Sequence, residues 1–333
     1  MSVLLINQGW TDNLGDIAIG EVMERELAEF SPITVEFAPI VMKKTKGVLP
    51  KIIGLYSLDN KYREWINAKL NTIGDYISGA IIGGGELFAS NSNFNAAVKI
   101  WVEELGKRNI PIYIFGVGGG YTNTLYRIRY RNALKKVNGV YVRDPYSKTV
   151  FEKSYCVSAK CFADVVFTYG NEKICHKKIN TILCNILSYE QYINGKGKKT
   201  KEEYFADWKK IIESEIDNNT ILLYGSTTKE DRKTTEEFAK IYGRPYSIVF
   251  TDTIEEYWNL LDTVGCVISG RMHSMILAMQ KGCKCVPYMW KDKLRVFSEQ
   301  YCECSIDVGA IRADAIRGFE DLKENLVTIK NKQ

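Results

Sequence analysis

Along most of this chain, short apolar runs alternate with stretches in which apolar residues recur three and four positions apart. The first pattern marks buried strands and the second amphipathic helices. "SVLLINQG" (2–9) predicts a strand, "WTDNLGD" (10–16) a loop, and "IAIGEVMERELAEF" (17–30) a helix. "YISGAIIGGGELF" (76–88) and "PIYIFGVGGG" (111–120) predict strands that end in glycines, with the helix "NAAVKIWVEELGKRNI" (95–110) between them. "VNGVYVRDPYSKTVFEK" (137–153) adds a strand, a turn at Asp144–Pro145 and a helix start. The polar stretch 167–181 interrupts the series, and "TILCNIL", "TILLYG", "TIEEYWNLLDTV", "GCVISG" and "HSMILAMQKG" then repeat it. Strand, turn and helix in repetition predict parallel sheets covered on both faces.

The expected architecture is therefore α/β, with two Rossmann-like domains whose sheets face a cleft. The predicted divisions are 1–168, 169–310, and a last helix within 311–333 that returns to the first domain. A length of 333 residues suits two cores better than one. Composition changes little in this picture: 45% hydrophobic and 26% charged residues describe an ordinary globular chain. The formal charge of +5 permits anionic ligands and falls short of the basic face of a duplex-binding protein, so no nucleic-acid partner is expected. No run approaches the about 18 apolar residues of a membrane span, and "MSVLLINQGW" reads as a strand, not a leader. A cytoplasmic location follows as the expectation, at most peripheral to the inner face of the membrane.

Nine cysteines, all at or after Cys156, predict reduced thiols. Cys283/Cys285 and Cys302/Cys304 are spaced more tightly than the paired ligands of structural zinc sites, and no metal is expected. "NGKGKKTKEE" (194–203) reads as a surface loop, and His176, beside Lys177 and Lys178, as solvated surface. Arg127, Arg129 and Arg131 read as an exposed helix face, with the steering of a diphosphate or lipid head group as the alternative.

Three glycine turns stand at strand ends of the first half: "DNLGD" (12–16), "GGGE" (83–86) and "GVGGG" (116–120). None continues as a phosphate loop or a dinucleotide fingerprint. Together they mark a binding rim, with Asn13, Gly15, Gly84, Gly85, Glu86 and Gly118 as candidate contacts. Asp16 has two readings: an acid at a helix start, favoured by the dipole, or a carboxylate that binds or deprotonates a hydroxyl.

The densest chemistry lies in "VGCVISGRMHSMILAMQKG" (264–282). Met272, Met275, Ile276 and Met279 follow helical spacing and predict a core face, and Gly282 stands where a helix should stop. Arg271 and His273 escape that face. They sit with Ser269 at the junction of strand and helix, where backbone N–H groups and the helix dipole favour an anion. Arginine adds a planar fork for carboxylate or phosphate, and histidine a proton donor suited to neutral pH. Arg143, at the end of "GVYV", and Lys291 and Lys293, after "CVPYMW", are further cations expected near strand ends.

The order "NLGDIAI", "GGGELF", "VRDPYS", "FADVVF" and "SGRMHSMILAMQKG", followed by a lysine in "MWKDK", resembles the polysaccharide pyruvyl transferase family over residues 7 to about 300. That resemblance implies a GT-B-like fold, phosphoenolpyruvate as donor, and a pyruvate ketal on a sugar of a cell-surface polymer as product. The acceptor would be a sugar linked to lipid or nucleotide. It implies no metal or redox cofactor. The residues matching its donor-binding set are Arg143, Arg271, Met272, His273 and Lys293, with Ser269 beside them; Lys291 is the alternative lysine, and Trp290 stands where tyrosine is common. His273 is then the expected general acid, and Asp16 the expected group on the acceptor side. Two other functions fit the bare residues: a glycosyltransferase of the same fold using a nucleotide sugar, for which Glu255 and Glu256 could serve as ribose acids although they read more simply as helix-N-terminal acids, and a non-catalytic binding protein.

Overall fold

The structure is a computed structural model that describes residues 2–40, 48–74, 76–170, 180–302 and 306–330. His176, Lys177, Lys178 and Cys304 lie outside those residues. Two compact units divide the chain: residues 1–10, 19–165 and 312–333, and residues 11–18 and 166–311. The loop expected over 10–16 is shorter, because a helix already begins at Leu14, and the contacts of residues 11–18 assign them to the second unit although they follow a strand of the first.

The first unit holds strands β1 (Ser2–Asn7), β2 (Ile33–Glu36), β3 (Ile77–Phe88), β4 (Ile112–Gly119), β5 (Gly139–Val142) and β6 (Lys160–Cys161). They form one parallel sheet in the order β2-β1-β3-β4-β5-β6. Between them run helices α1 (Leu14–Glu26), α2 (Val48–Ile73), α3 (Ser92–Lys107), α4 (Thr124–Leu134) and α5 (Pro145–Val150). Val3, Leu4, Leu5 and Ile6 of β1 are fully buried, as a central strand covered on both faces requires. Strands β3 and β4 continue through their glycines instead of ending at them. Gly84 and Gly85 adopt positive φ of 76° and 81°, and a Cβ on Gly84 would stand 2.0 Å from Ile19 Cγ2, so these glycines serve close packing within the unit.

One surface expectation fails here. Arg129 is not part of an exposed face: its guanidinium donates to both oxygens of the buried Asp59 and, through Nε, to Asn95. Arg127 and Arg131 are exposed. Alternating arginines on a helix point in different directions, and a buried carboxylate 70 residues away captured one of them.

The second unit holds β7 (Thr181–Asn185), α6 (Tyr189–Asn194), α7 (Lys201–Glu213), β8 (Ile221–Gly225), α8 (Lys229–Tyr242), β9 (Ser247–Ile248), α9 (Ile254–Leu260), β10 (Cys266–Ser269), α10 (Met272–Gln280), β11 (Lys284–Pro287) and α11 (Asp292–Tyr301). Its sheet is also parallel, in the order β11-β10-β7-β8-β9. Chain order therefore reverses between β7 and β10, and such a switch point opens a crevice at the carboxyl ends of the two strands. Helix α10 buries Met275, Ile276 and Met279 as its spacing predicts. It stops in a Schellman turn: Gly282, at φ 76°, donates to Met279 O and Cys283 to Ala278 O. The last helix, α12, spans Val308–Lys330, and its residues from 312 onward group with the first unit, where Asp321 accepts from Tyr141 and Lys160. No described helix is long and apolar enough to cross a membrane.

Candidate active site at the start of α10

Ser269 and Asn185 are paired residues at the carboxyl ends of β10 and β7, one on each side of the switch point. After Ser269 the chain turns sharply. Ser269 Oγ accepts from Arg271 N–H at 2.9 Å, which bends the backbone into α10 and commits this hydroxyl to the turn. Asn185 Nδ2 donates to Ser274 Oγ (2.7 Å) and to Tyr257 Oη (2.8 Å), tying the first turn of α10 to the strand beneath it. The first-turn amides of a helix have no intrahelical acceptor, so this junction presents partial positive charge. Met272 and Ser274 are buried, whereas Arg271 and His273 are half-buried and line a pocket with Asn13, Lys291 and Lys293.

Arg271 is held by a residue that sequence reasoning missed. Asp231, in the first turn of α8 and 1% exposed, accepts from Arg271 Nε through Oδ2 and from Arg271 Nη2 through Oδ1, each at 2.8 Å. Asp231 Oδ1 also accepts from Ser188 N–H at 2.7 Å. Burial works against the Arg271 charge, and the paired carboxylate outweighs it, so the guanidinium stays above its ordinary pKa. The expected fork for a ligand is thus half used. One edge of the guanidinium is fastened to Asp231, and what remains for an anion is the Nη end. No pattern marks Asp231 within "KEDRKTTEEF", because four acids share that helix and only tertiary pairing separates them.

Residues 11–18, a short loop that runs into the first turn of α1 at Leu14, are pinned beside this junction. Leu14 N–H donates to Thr227 O at 2.8 Å, and Asp12 Oδ2 accepts from Lys229 N–H at 3.0 Å. Asn13 Oδ1 accepts from Gly15 N–H, and Asn13 Nδ2 donates to Asp16 Oδ2 at 2.9 Å. Gly15 lies flat against the imidazole: a Cβ there would stand 2.6 Å from His273 Nδ1, so any side chain at 15 must displace the ring or the loop. Desolvation pushes the Asp16 carboxyl above its ordinary value, and the charges of His273 and Lys293, the Asn13 hydrogen bond and Arg271 pull against that rise.

Two lysines follow β11. Lys291 precedes α11, and its Nζ lies 4.5 Å from the centroid of the Trp290 ring. Lys293, two residues further and in the first turn of α11, acts electrostatically on Asp16. Trp290 Nε1 donates to Gly270 O at 2.9 Å, fixing the turn before Arg271. Glu256 forms a capping box with Thr253 at the start of α9, a structural use for one of the two acids read as ribose ligands.

The remaining candidates belong to the first unit and form their own network. Arg143 Nη1 is 3.1 Å from Asp164 Oδ2, with side chains 3% and 4% exposed, so "VRDPYS" and "FADVVF" meet in a buried ion pair. Gly118 lies over that guanidinium, where a Cβ would come within 2.9 Å of Nε. Asp144 accepts from Ser147 N–H and Oγ–H, and Ser147 Oγ accepts from Gly119 N–H, which fixes the glycine end of β4. Glu86 is half-buried beside Gly84 and Gly85. Cys283 donates to the carbonyls of Leu261 and Val264, and among the described residues no group of three or more His, Cys, Asp or Glu side chains is arranged to hold a metal.

Comparison with solved structures gives the fold. A UDP-N-acetylglucosamine 2-epimerase from Methanocaldococcus jannaschii superposes with a TM-score of 0.51 at 10% identity, over 96% of this chain and 91% of the other. A putative enzyme of that name from Listeria monocytogenes gives 0.53 at 13% identity, over 90% and 81%. A UDP co-structure of S. aureus MnaA gives 0.52 at 10% identity, over 86% and 79%. The α/β class expected from the strand–helix alternation, GT-B-like with two parallel sheets, is the one observed. Among curated sequences, the chromosomal replication initiator protein DnaA of Leptospira biflexa serovar Patoc (strain Patoc 1 / Ames) is 37% identical over 123 residues. That stretch is 35% of this chain, and the match spans about a quarter of the relative's length. A family profile described as polysaccharide pyruvyl transferase matches residues 13–292, from the loop against His273 to the start of α11, and the chain belongs to that family.

Proposed function

We propose that this chain transfers a pyruvyl group from phosphoenolpyruvate to two hydroxyls of a sugar, forming a ketal and releasing phosphate. The supporting observation is the meeting of Arg271, His273, Lys293 and Asp16 at the start of α10 in a chain of this family. The donor carries a carboxylate and a phosphate. Arg271, oriented by Asp231, and Lys293 offer fixed positive charge to them, and the first-turn amides of α10 add theirs. His273 gives a proton to the methylene carbon while one sugar hydroxyl adds to the central carbon. Phosphate then leaves with the C–O electron pair, and the second hydroxyl closes the ketal as its proton passes to the now neutral His273 imidazole. Asp16, held at a raised pKa, accepts a hydroxyl proton. Ser269 and Gly15 shape the site, and Arg143 braces the first unit.

The test is phosphate release from phosphoenolpyruvate across a panel of sugar acceptors, beside thermal stabilisation by the donor alone. Donor stabilisation that is lost in Arg271→Ala, with turnover lost in His273→Ala, is expected. Stabilisation by UDP-sugars and none by phosphoenolpyruvate would overturn the proposal in favour of glycosyl transfer.

A further inference from the structure

The lysine-rich loop between α6 and α7 has no part in the site above. With α7 and the end of β11 it borders an open groove of about 790 Å³ within the second unit, a volume in the range of small-ligand pockets. Trp290 lines both this groove and the pocket around Arg271. Its floor is aromatic and rigid: Tyr288 is buried and stacks on Trp208, with ring centroids 4.4 Å apart at 16°, and the buried Tyr192 lies 6.4 Å from Tyr288. Its rim is cationic. Lys199 is paired with Asp207, but Lys196, Lys198 and Lys210 are exposed and have no carboxylate partner within 4 Å among the described residues.

Three exposed ammonium groups around one aromatic floor give this rim a positive potential that favours an anion. Flat apolar rings suit the hydrophobic face of a sugar, and flexible lysines suit a carboxylate or phosphate attached to it. A nucleotide is served less well. A diphosphate seats best on an open helix start, and the start of α7 is closed by its own capping box, in which Thr200 and Glu203 satisfy each other. We propose that this groove binds a sugar residue bearing a carboxylate or phosphate. Taken with the function proposed above, that residue is the acceptor's neighbour to the unit being modified, and the acceptor is an acidic glycan.

Calorimetric titration of the full chain tests this with four probes: tetragalacturonate, N-acetylglucosamine 1-phosphate, maltotetraose and UDP. At least one of the two charged sugars should bind tenfold or more tightly than maltotetraose, and the stronger of the two identifies the anionic group. The exposed double variant Lys198→Glu/Lys210→Glu should keep its melting temperature, lose charged-sugar affinity at least tenfold, and retain stabilisation by phosphoenolpyruvate. Equal binding of maltotetraose, no binding of either charged sugar, tightest binding of UDP, or charged-sugar affinity unchanged in the double variant would each overturn the proposal. Donor binding is read in a separate titration, so its failure would sink the transfer reaction and leave the charged-sugar result standing.

Discussion

Each unit carries an arginine beside the carboxyl end of a parallel strand, and each arginine is paired with a buried aspartate, yet the pairs differ in what they leave open. Arg143 and Asp164 are 3% and 4% exposed, and a glycine lies over the guanidinium. Arg271 is 16% exposed above an Asp231 at 1%, with one edge bound and the other facing a pocket. The first arrangement leaves neither partner open to solvent. The second holds a charge in place without consuming it. An arginine at a strand end is therefore no evidence of a binding group until its partner and its exposed edge are known.

The contrast is broken most severely at Arg143. Arg143→Ala removes the guanidinium paired with the buried Asp164, a loss of about 3–5 kcal/mol in stability. Donor affinity in the folded fraction should stay within about twofold, where twofold is well under 1.4 kcal/mol. A tenfold loss of affinity in a variant of normal melting temperature would erase the distinction. Asp231→Ala should do the reverse, because Arg271 can turn to solvent. A loss of about 100-fold in donor affinity, roughly 2.7 kcal/mol, should come with a smaller fall in melting temperature. Equal thermal damage in the two variants would make Asp231 a mere structural acid.

Gly15→Ala sharpens the picture of a placed imidazole. The new methyl must push His273 aside, so turnover should fall about tenfold, as expected for a misplaced catalytic group, with little change in donor affinity. An unaffected turnover number would free His273 from this contact. Asp16→Asn has the smallest expected effect on stability, and its sign is informative. The folded carboxyl holds its proton to higher pH than the unfolded one. Below the unfolded value of about 3.9, both states are protonated and the shift contributes nothing; above the raised folded value, the half-buried, partly desolvated charge costs stability. The variant should therefore melt higher than the parent at neutral pH, with the difference vanishing in acid, while turnover is lost. A lower melting temperature at neutral pH would contradict the raised carboxyl.

Much of this was legible in the chain. The strand–helix alternation specifies parallel sheets, and Arg271 and His273 stood out because they leave the methionine stripe of α10. Asp231 was hidden by ordinary helix polarity. The attachment of residues 11–18 to the second unit was hidden because hydrogen bonds from Leu14 to Thr227 and from Lys229 to Asp12 carry no periodic signature. Arg129 was misread for the same reason: sequence spacing gives a face, and a distant Asp59 decides what that face meets.

Asp231 Oδ1 serves two donors, the Arg271 guanidinium and the backbone amide of Ser188. Ser188 in turn caps α6, the helix that carries Tyr192. When an anion takes the open Nη end of Arg271 while Asp231 still holds the other edge, the guanidinium's charge is shared between the two, Oδ1 leans more on the amide, and the Ser188 hydrogen should exchange with solvent more slowly. A single labelled amide, one carboxylate removed from the guanidinium, would then report how full the arginine's hand is.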